Sequence, residues 1–302
     1  MTLDTSRPLD RYRPFIAEWD DFAAACVRPL PTDARINPLR SSPESLRDRF
    51  APRGITIESS AWDPYAVRAS HPIGRTLEHW LGLFYLQERV QATPVLALDP
   101  RPGERILDLC AAPGGKTVDI ATRMQSAGLV VANEPNGRRQ QALLTNINRI
   151  GVWNVTVTEF RGQDFPHAMA FDRVLVDAPC SAEGTLRKQS TLRDGAALPA
   201  IRRLACIQEL LIVRAFDLLR VGGVLVYSTC TFAPEENEAV VSHLLARRDA
   251  RVTAFRPPFP HSTGLEAWNG APFETGTALC VRIYPHHLDS GGGFVARIER
   301  RA

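Results

Sequence analysis

Two cysteines stand where a thiol can do chemistry. Cys180 closes the run Phe171-Asp-Arg-Val-Leu-Val-Asp-Ala-Pro-Cys180, and Cys230 closes Gly223-Val-Leu-Val-Tyr-Ser-Thr-Cys230. Each run reads as a buried strand, apolar and rich in valine, with its cysteine at the carboxyl end. Ligands of open parallel sheets bind in the crevice beyond those ends, so both thiols are expected to face one cleft, with the acid Asp177 beside them. A third run, Arg105-Ile-Leu-Asp-Leu-Cys-Ala-Ala-Pro-Gly-Gly-Lys-Thr117, places a glycine-rich turn after an earlier strand and gives that cleft a cofactor site. Two thiols, a cofactor turn and a carboxylate make an active site rather than a scaffold.

The turn can be read in two ways. Gly-Lys-Thr also ends a Walker A sequence, but that pattern needs glycine at position 110, where the chain has Cys110. As a cofactor turn it is consistent: Gly114 and Gly115 let backbone N–H groups approach a ligand carboxylate at a helix N-terminus, with Cys110, Ala111, Ala112 and Pro113 leading into it and Lys116 following. Glu134 ends the next strand about twenty residues on, where an acid can accept both hydroxyls of a ribose. Of the 36 basic residues only Lys116 and Lys188 are lysine, and both fall within the motifs. Either a compact ammonium is needed there, which a planar guanidinium cannot replace, or chance placed both.

Around these motifs the chain of 302 residues divides into an expected accessory domain, 1–75, and a catalytic domain, 76–302. The first carries a helix at 15–26, a strand at 34–37, a helix at 42–50 with Ser42 as its cap and Pro43 in its first turn, and a strand at 55–57. That order fits a small α+β module of the RRM kind, either a platform gripping an RNA backbone or a packing domain. A helix at 77–92 leads into the second domain. Strands at 105–110, 129–134, 155–159, 171–178 and 223–230 then alternate with helices near 115–125, 137–150, 200–220 and 235–248. A terminal pair of strands, 278–284 and 293–298, is joined by a polar, glycine-rich turn. Strand–helix alternation of this kind predicts an α/β fold with a mostly parallel, Rossmann-like sheet closed by an antiparallel hairpin.

Composition excludes several classes. The net charge of +3 is modest and favours a nucleic-acid partner only weakly. The six cysteines, at 26, 110, 180, 206, 230 and 280, form no C-x-x-C pair, so no metal site is expected. Residues 1–13 are charged and lack an apolar run, and no stretch approaches the roughly 18 to 20 apolar residues of a membrane span. A cytoplasmic protein with reduced thiols, and a monomer, is expected.

The strings Ala111-Ala-Pro-Gly-Gly-Lys-Thr117, Asp177-Ala-Pro-Cys180 and Tyr227-Ser-Thr-Cys-Thr231, with Pro234-Glu-Glu-Asn-Glu238, make the chain resemble the RNA cytosine-C5 methyltransferases of the Sun/RsmB/RsmF type, most closely the RsmF-like branch. Gln87-Glu88 matches the motif that opens the family's catalytic domain, although Val90-Gln91 replace its usual serines. The resemblance implies a Rossmann-like methyltransferase core that uses S-adenosyl-L-methionine, with an RRM-like module before it. It implies that Cys230 adds to carbon 6 of cytosine, that Asp177 relieves charge at ring nitrogen 3, and that Cys180 acts as the general base or as the group that promotes release. Lys116 and the cofactor's own charge would lower the pKa of the attacking thiol. Asp164 is the choice for the adenine contact, while Arg139 and Asn146 read as surface and structural residues. Arg187, Lys188, Arg193 and Arg202 are expected to meet RNA phosphates around an unpaired or flipped base. The expected partner is RNA, ribosomal RNA before transfer RNA. The alternatives are a methyltransferase acting on DNA or an exocyclic amine, and an RNA-binding assembly factor without chemistry.

Overall fold

A computed structural model describes residues 8–189 and 195–301. The chain opens with a 3₁₀ turn, Pro8–Phe15, and helix α1 (Trp19–Val27). Trp19, Phe22 and Cys26 of α1 join Tyr12 and Ile16 in packing against Leu186, Ile201, Phe232 and Tyr284. The first helix therefore forms close to its expected place but belongs to the core around the thiol-bearing loops, not to a separate N-terminal module.

That module is built from the next six elements: β1 (Thr32–Ile36), α2 (Pro43–Phe50), β2 (Ile57–Ser59), β3 (Ala66–Ala69), α3 (Leu77–Trp80) and β4 (Phe84–Leu86). Its four strands pair in the order β2-β3-β1-β4, antiparallel throughout. Helix α2 starts as its sequence predicts, the Ser42 hydroxyl accepting a hydrogen bond from the Ser45 N–H at 3.2 Å. Ala34, Ile36, Leu46, Phe50, Ile57, Val67 and Phe84 form the module's own core. The continuous helix expected over 77–92 does not form. Gly82 takes φ 71° and passes so close to the end of another helix that a Cβ there would lie 1.9 Å from the Arg149 carbonyl oxygen. The following Leu-Phe-Tyr-Leu run then completes the sheet along β1, which carries the small sheet past the boundary expected at 75.

The larger part follows the alternating plan. After α4 (Arg89–Leu98) come β5 (Arg105–Asp108), α5 (Gly115–Arg123), β6 (Leu129–Asn133), α6 (Gly137–Ile150), β7 (Val155–Thr158), β8 (Phe171–Asp177), α7 (Leu198–Asp217), β9 (Leu219–Thr229) and α8 (Glu238–Leu245). The short strands β10 (Ala250–Val252), β11 (Ser262–Thr263), β12 (Ala267–Trp268) and β13 (Ala271–Pro272) precede β14 (Val281–Ile283), the single turn α9 (Pro285–Leu288) and β15 (Gly293–Arg300). The main sheet runs β7-β6-β5-β8-β9-β15-β14-β11. Its pairs are parallel from β7 to β9, and β15 runs antiparallel between β9 and β14. The terminal hairpin is thus present, joined by α9 rather than by a turn alone.

Both faces of this sheet are covered, which is why its strands read as continuous apolar runs. Leu107, Val174, Val176 and Leu225 pack toward α7 and α8, whereas Ile106, Val130, Leu175 and Val226 pack toward α4, α5 and α6. Strand β5 has β6 on one side and β8 on the other, so connections leave it in opposite directions. The crevice at the carboxyl ends of β5 and β8 is the switch point where such sheets bind ligands.

Candidate active site

The glycine-rich turn leaves β5 at that crevice. Gly114 sits at φ 106°, and a Cβ there would come within 2.9 Å of Leu143. A Cβ on Gly115 would lie 3.0 Å from the Tyr85 ring, which β4 of the small sheet holds against the turn. Glycine is required at 114 by backbone conformation and at 115 by a close neighbour. Helix α6 clasps the turn from the other side. The Arg139 guanidinium donates to the Ala112 carbonyl at 2.8 Å, and the Asn146 amide donates to the Pro113 carbonyl at 2.9 Å. Both residues, expected at the surface or in a purely structural role, hold the cofactor turn in shape.

Glu134 follows β6 directly and is 1% exposed. Its carboxylate accepts from the Asn136 N–H at 2.9 Å and pairs with Arg139 at 3.1 Å. It lines a cavity of about 600 Å³ together with Cys110, Ala112, Asp177, Cys180 and Cys230, a volume in the range of small-molecule sites. Arg161, Gly162 and Gln163 line the same cavity. Asp164, expected at the adenine, is exposed and lies outside that lining. A smaller adjoining space of about 210 Å³ is walled by Tyr85, Gln91, Asp108, Lys116, Asp177 and Lys188. Asp108 is fully buried beside the Thr117 hydroxyl, which donates to it at 2.7 Å. Burial pushes its carboxyl up to about 7 against that hydrogen bond.

The thiols meet at the far wall. Asp177 of β8 pairs in register with Ser228 of β9, so the residues just beyond emerge side by side. The Cys180 and Cys230 sulfurs are 3.3 Å apart, and the Cys230 N–H donates to the Cys180 sulfur at 3.3 Å. The Cys180 thiol is pushed well above the usual thiol range, first by its hydrogen bond to Cys230, then by burial, then by the charges of Cys230 and Glu236. Lys116 donates to one Asp177 oxygen at 2.7 Å, and the Ser228 hydroxyl donates to the other at 2.9 Å. Burial pulls the Lys116 ammonium down, but Asp177 and Cys230 outweigh it, and the net shift is upward. Lys116 also donates to the Gln91 side-chain oxygen. Gln91 stands where the resemblance expects serine, and that departure is the only signal in the sequence for its place here.

The expected RNA-facing residues divide. The Arg187 side chain is 0% exposed. It donates to the carbonyls of Arg28, Pro29 and Ser290 and pairs with Asp289, so it fastens α1 and the α9–β15 loop and has no donor turned to solvent for a phosphate. Lys188 is exposed at the mouth of the smaller space and pairs with Glu88. Arg202 is exposed on α7, and Arg193 lies outside the described residues. No helix among the described residues is long and apolar enough to cross a membrane.

The same fold occurs in known proteins. The family described as 16S rRNA methyltransferase RsmB/F matches residues 95–299. The chain is 39% identical over 295 residues to a ribosomal RNA small subunit methyltransferase F of Klebsiella pneumoniae, covering 94% of this chain and 60% of that relative. Its fold is similar to that of a methyltransferase homolog protein from Pyrococcus horikoshii, at TM-score 0.85 and 31% identity, over 96% of this chain and 93% of the other. An NSun6 from Pyrococcus horikoshii, solved with the S-adenosylmethionine analogue SFG, shares the fold at TM-score 0.84 and 22% identity over 97% of each chain. The family is of the S-adenosylmethionine-dependent kind. The residues present suit that cofactor: a turn whose two glycines leave room for a ligand at a helix N-terminus, and a buried carboxylate one strand away for a ribose.

Proposed function

The chain belongs to the RsmB/F family of 16S rRNA methyltransferases, and we propose that it transfers a methyl group to carbon 5 of an unpaired cytosine in RNA, ribosomal RNA before transfer RNA, through a covalent bond to Cys230. The observation that carries this reading is the pair of sulfurs 3.3 Å apart beside a linked Lys116 and Asp177. A methyltransferase acting on an exocyclic amine needs no thiol, and here two share one wall of the cleft.

Carbon 5 of cytosine is too poor a nucleophile to take a methyl group unaided. Addition of the Cys230 thiolate to carbon 6 turns the ring into an enamine whose carbon 5 can attack. S-adenosylmethionine, when bound at residues 110–116 and Glu134, supplies the electrophilic methyl group. Asp177, paired with Lys116, relieves charge at ring nitrogen 3: that nitrogen takes a proton from water as the adduct forms and donates it in a hydrogen bond to the carboxylate, and the proton returns to water as the adduct resolves. Once the Cys230 sulfur is bonded to carbon, the hydrogen bond that kept the Cys180 proton in place is gone, and Cys180 can release that proton to water. The Cys180 thiolate then removes the proton from carbon 5. The electrons of that C–H bond restore the ring double bond, and the pair of the breaking C6–S bond returns to Cys230.

The strand order β2-β3-β1-β4 over residues 32–86, with a helix after β1 and another after β3, supports an RRM-like reading of the small sheet. It serves as a platform beside the cleft rather than a base reader. Lys188 and Arg202 supply charge for phosphates near the cleft mouth. The test is to incubate the protein with methyl-labelled S-adenosylmethionine and unmodified 16S rRNA, then digest to nucleosides. Label in 5-methylcytidine is expected; label in an N-methylated nucleoside, or none in RNA, contradicts the reading.

A further inference from the structure

Cys180 is held from both sides by a buried polar pair that the reaction as derived leaves unused. Gln208 of α7 and Glu236 of the loop after β9 are each 0% exposed. The Gln208 amide donates to the Pro179 carbonyl at 2.8 Å and to the Glu236 carboxylate at 2.8 Å. The same carboxylate oxygen accepts from the Ser181 N–H at 3.0 Å. The residues before and after Cys180 are therefore tied to one another through two side chains from other elements. The Glu236 carbonyl in turn accepts from the Tyr227 hydroxyl at 2.6 Å, which fastens the loop to β9, the strand that presents Cys230.

A carboxylate is costly to bury, the more so here because the second side-chain oxygens of Glu236 and Gln208 have no hydrogen-bond partner among the described residues, and an apolar pair could fill the same space. The linkage is also specific in direction, since its two outer bonds end on the backbone on either side of Cys180. We propose that Gln208 and Glu236 are positioning residues for Cys180: they keep its sulfur against Cys230, and the step that depends on them is removal of the carbon 5 proton and release of the adduct. The inference rests on the covalent reading above. Glu236 adds a second effect, since its charge raises the Cys180 thiol further after the hydrogen bond to Cys230 and burial have done so.

Wild type, Gln208→Ala, Glu236→Ala, Glu236→Gln and Cys180→Ala are compared with unmodified 16S rRNA and S-adenosylmethionine, reading the protein–RNA band that survives denaturing electrophoresis and, separately, cofactor affinity. Gln208→Ala and Glu236→Ala are expected to accumulate adduct about tenfold over wild type, the scale of a lost buried hydrogen bond, with cofactor affinity unchanged. Glu236→Gln keeps an oxygen that can accept both bonds, so it should restore low adduct levels while the pH profile of turnover moves to lower pH. If Glu236→Ala does not fold, Gln208→Ala and Glu236→Gln carry the test. Wild-type adduct level and turnover in a folded Gln208→Ala, or an unmoved pH profile in Glu236→Gln, overturns the proposal. If Cys180→Ala traps adduct and Gln208→Ala does not, only the positioning role fails; if Cys180→Ala traps none, the covalent reading fails with it.

Discussion

Cys180 and Cys230 are the same side chain 3.3 Å apart, but their surroundings differ. The hydrogen bond to Cys230 and then burial keep the proton on Cys180, with the charge of Glu236 adding to them, while Cys230 interacts with the Lys116 ammonium. The proposed nucleophile and the proposed base thus differ in surroundings rather than in residue type, the general way in which one cleft can hold two roles. The cofactor end is organised in the same manner. Glu134 is buried with its charge met by Arg139 and a backbone N–H, which fixes the carboxylate proposed to meet a ribose. Glu134→Ala should weaken S-adenosylmethionine binding by about 1 to 3 kcal/mol, the range for lost hydrogen bonds to a charged group. Titration calorimetry checks this, and unchanged affinity would move the ribose contact elsewhere.

The elements that present these residues differ in how openly the sequence announces them. Strands β5, β6, β8 and β9 are buried on both faces, so their apolar runs are continuous and their carboxyl ends are marked by motif residues; those ends, and the meeting of both thiols, were legible. The break inside 77–92 was not. Its Leu and aromatic residues suit either a helix or a strand, and the choice is made by a distant partner, the Arg149 carbonyl that only a glycine at 82 can pass. The burial of Arg187 was hidden for a related reason, because an arginine beside a cleft motif looks the same whether it meets phosphate or, as here, carbonyls of segments far away in sequence. Gly82→Ala adds a strained φ to that clash and should destabilise the protein by about 2 to 4 kcal/mol. A denaturant midpoint equal to wild type would show that β4 can move off α6 without loss.

A charged cluster joins the small sheet to the larger part of the molecule. Arg35 of β1 reaches Asp63 at 2.9 Å and Asp119 of α5 at 2.7 Å, while Arg123 of α5 reaches the same two acids at 2.6 and 2.8 Å. The Asp63 and Asp119 side chains are 2% and 0% exposed. Because α5 begins at the cofactor turn, the cluster couples the small sheet to the site. Burial alone would raise the Asp63 carboxyl, but Arg35 and Arg123 outweigh it and hold it below the usual carboxylate value. A depressed folded-state pKa gives stability that is present above the unfolded value of 3.8 and lost as pH falls through the folded one. Asp63→Asn should therefore cost about 3 to 5 kcal/mol at neutral pH by leaving two guanidinium groups short of a partner, with the difference from wild type shrinking in strong acid. Thermal melts from pH 7 downward read this directly, and a difference that does not shrink would assign the loss to packing. The proposed division of labour between the two thiols is read by incubating Cys180→Ala, Cys230→Ala and the double variant with S-adenosylmethionine and unmodified 16S rRNA, followed by denaturing electrophoresis. Cys180→Ala should accumulate a protein–RNA adduct that Cys230→Ala and the double variant do not form; an adduct trapped by Cys230→Ala and absent from Cys180→Ala would reverse the two roles.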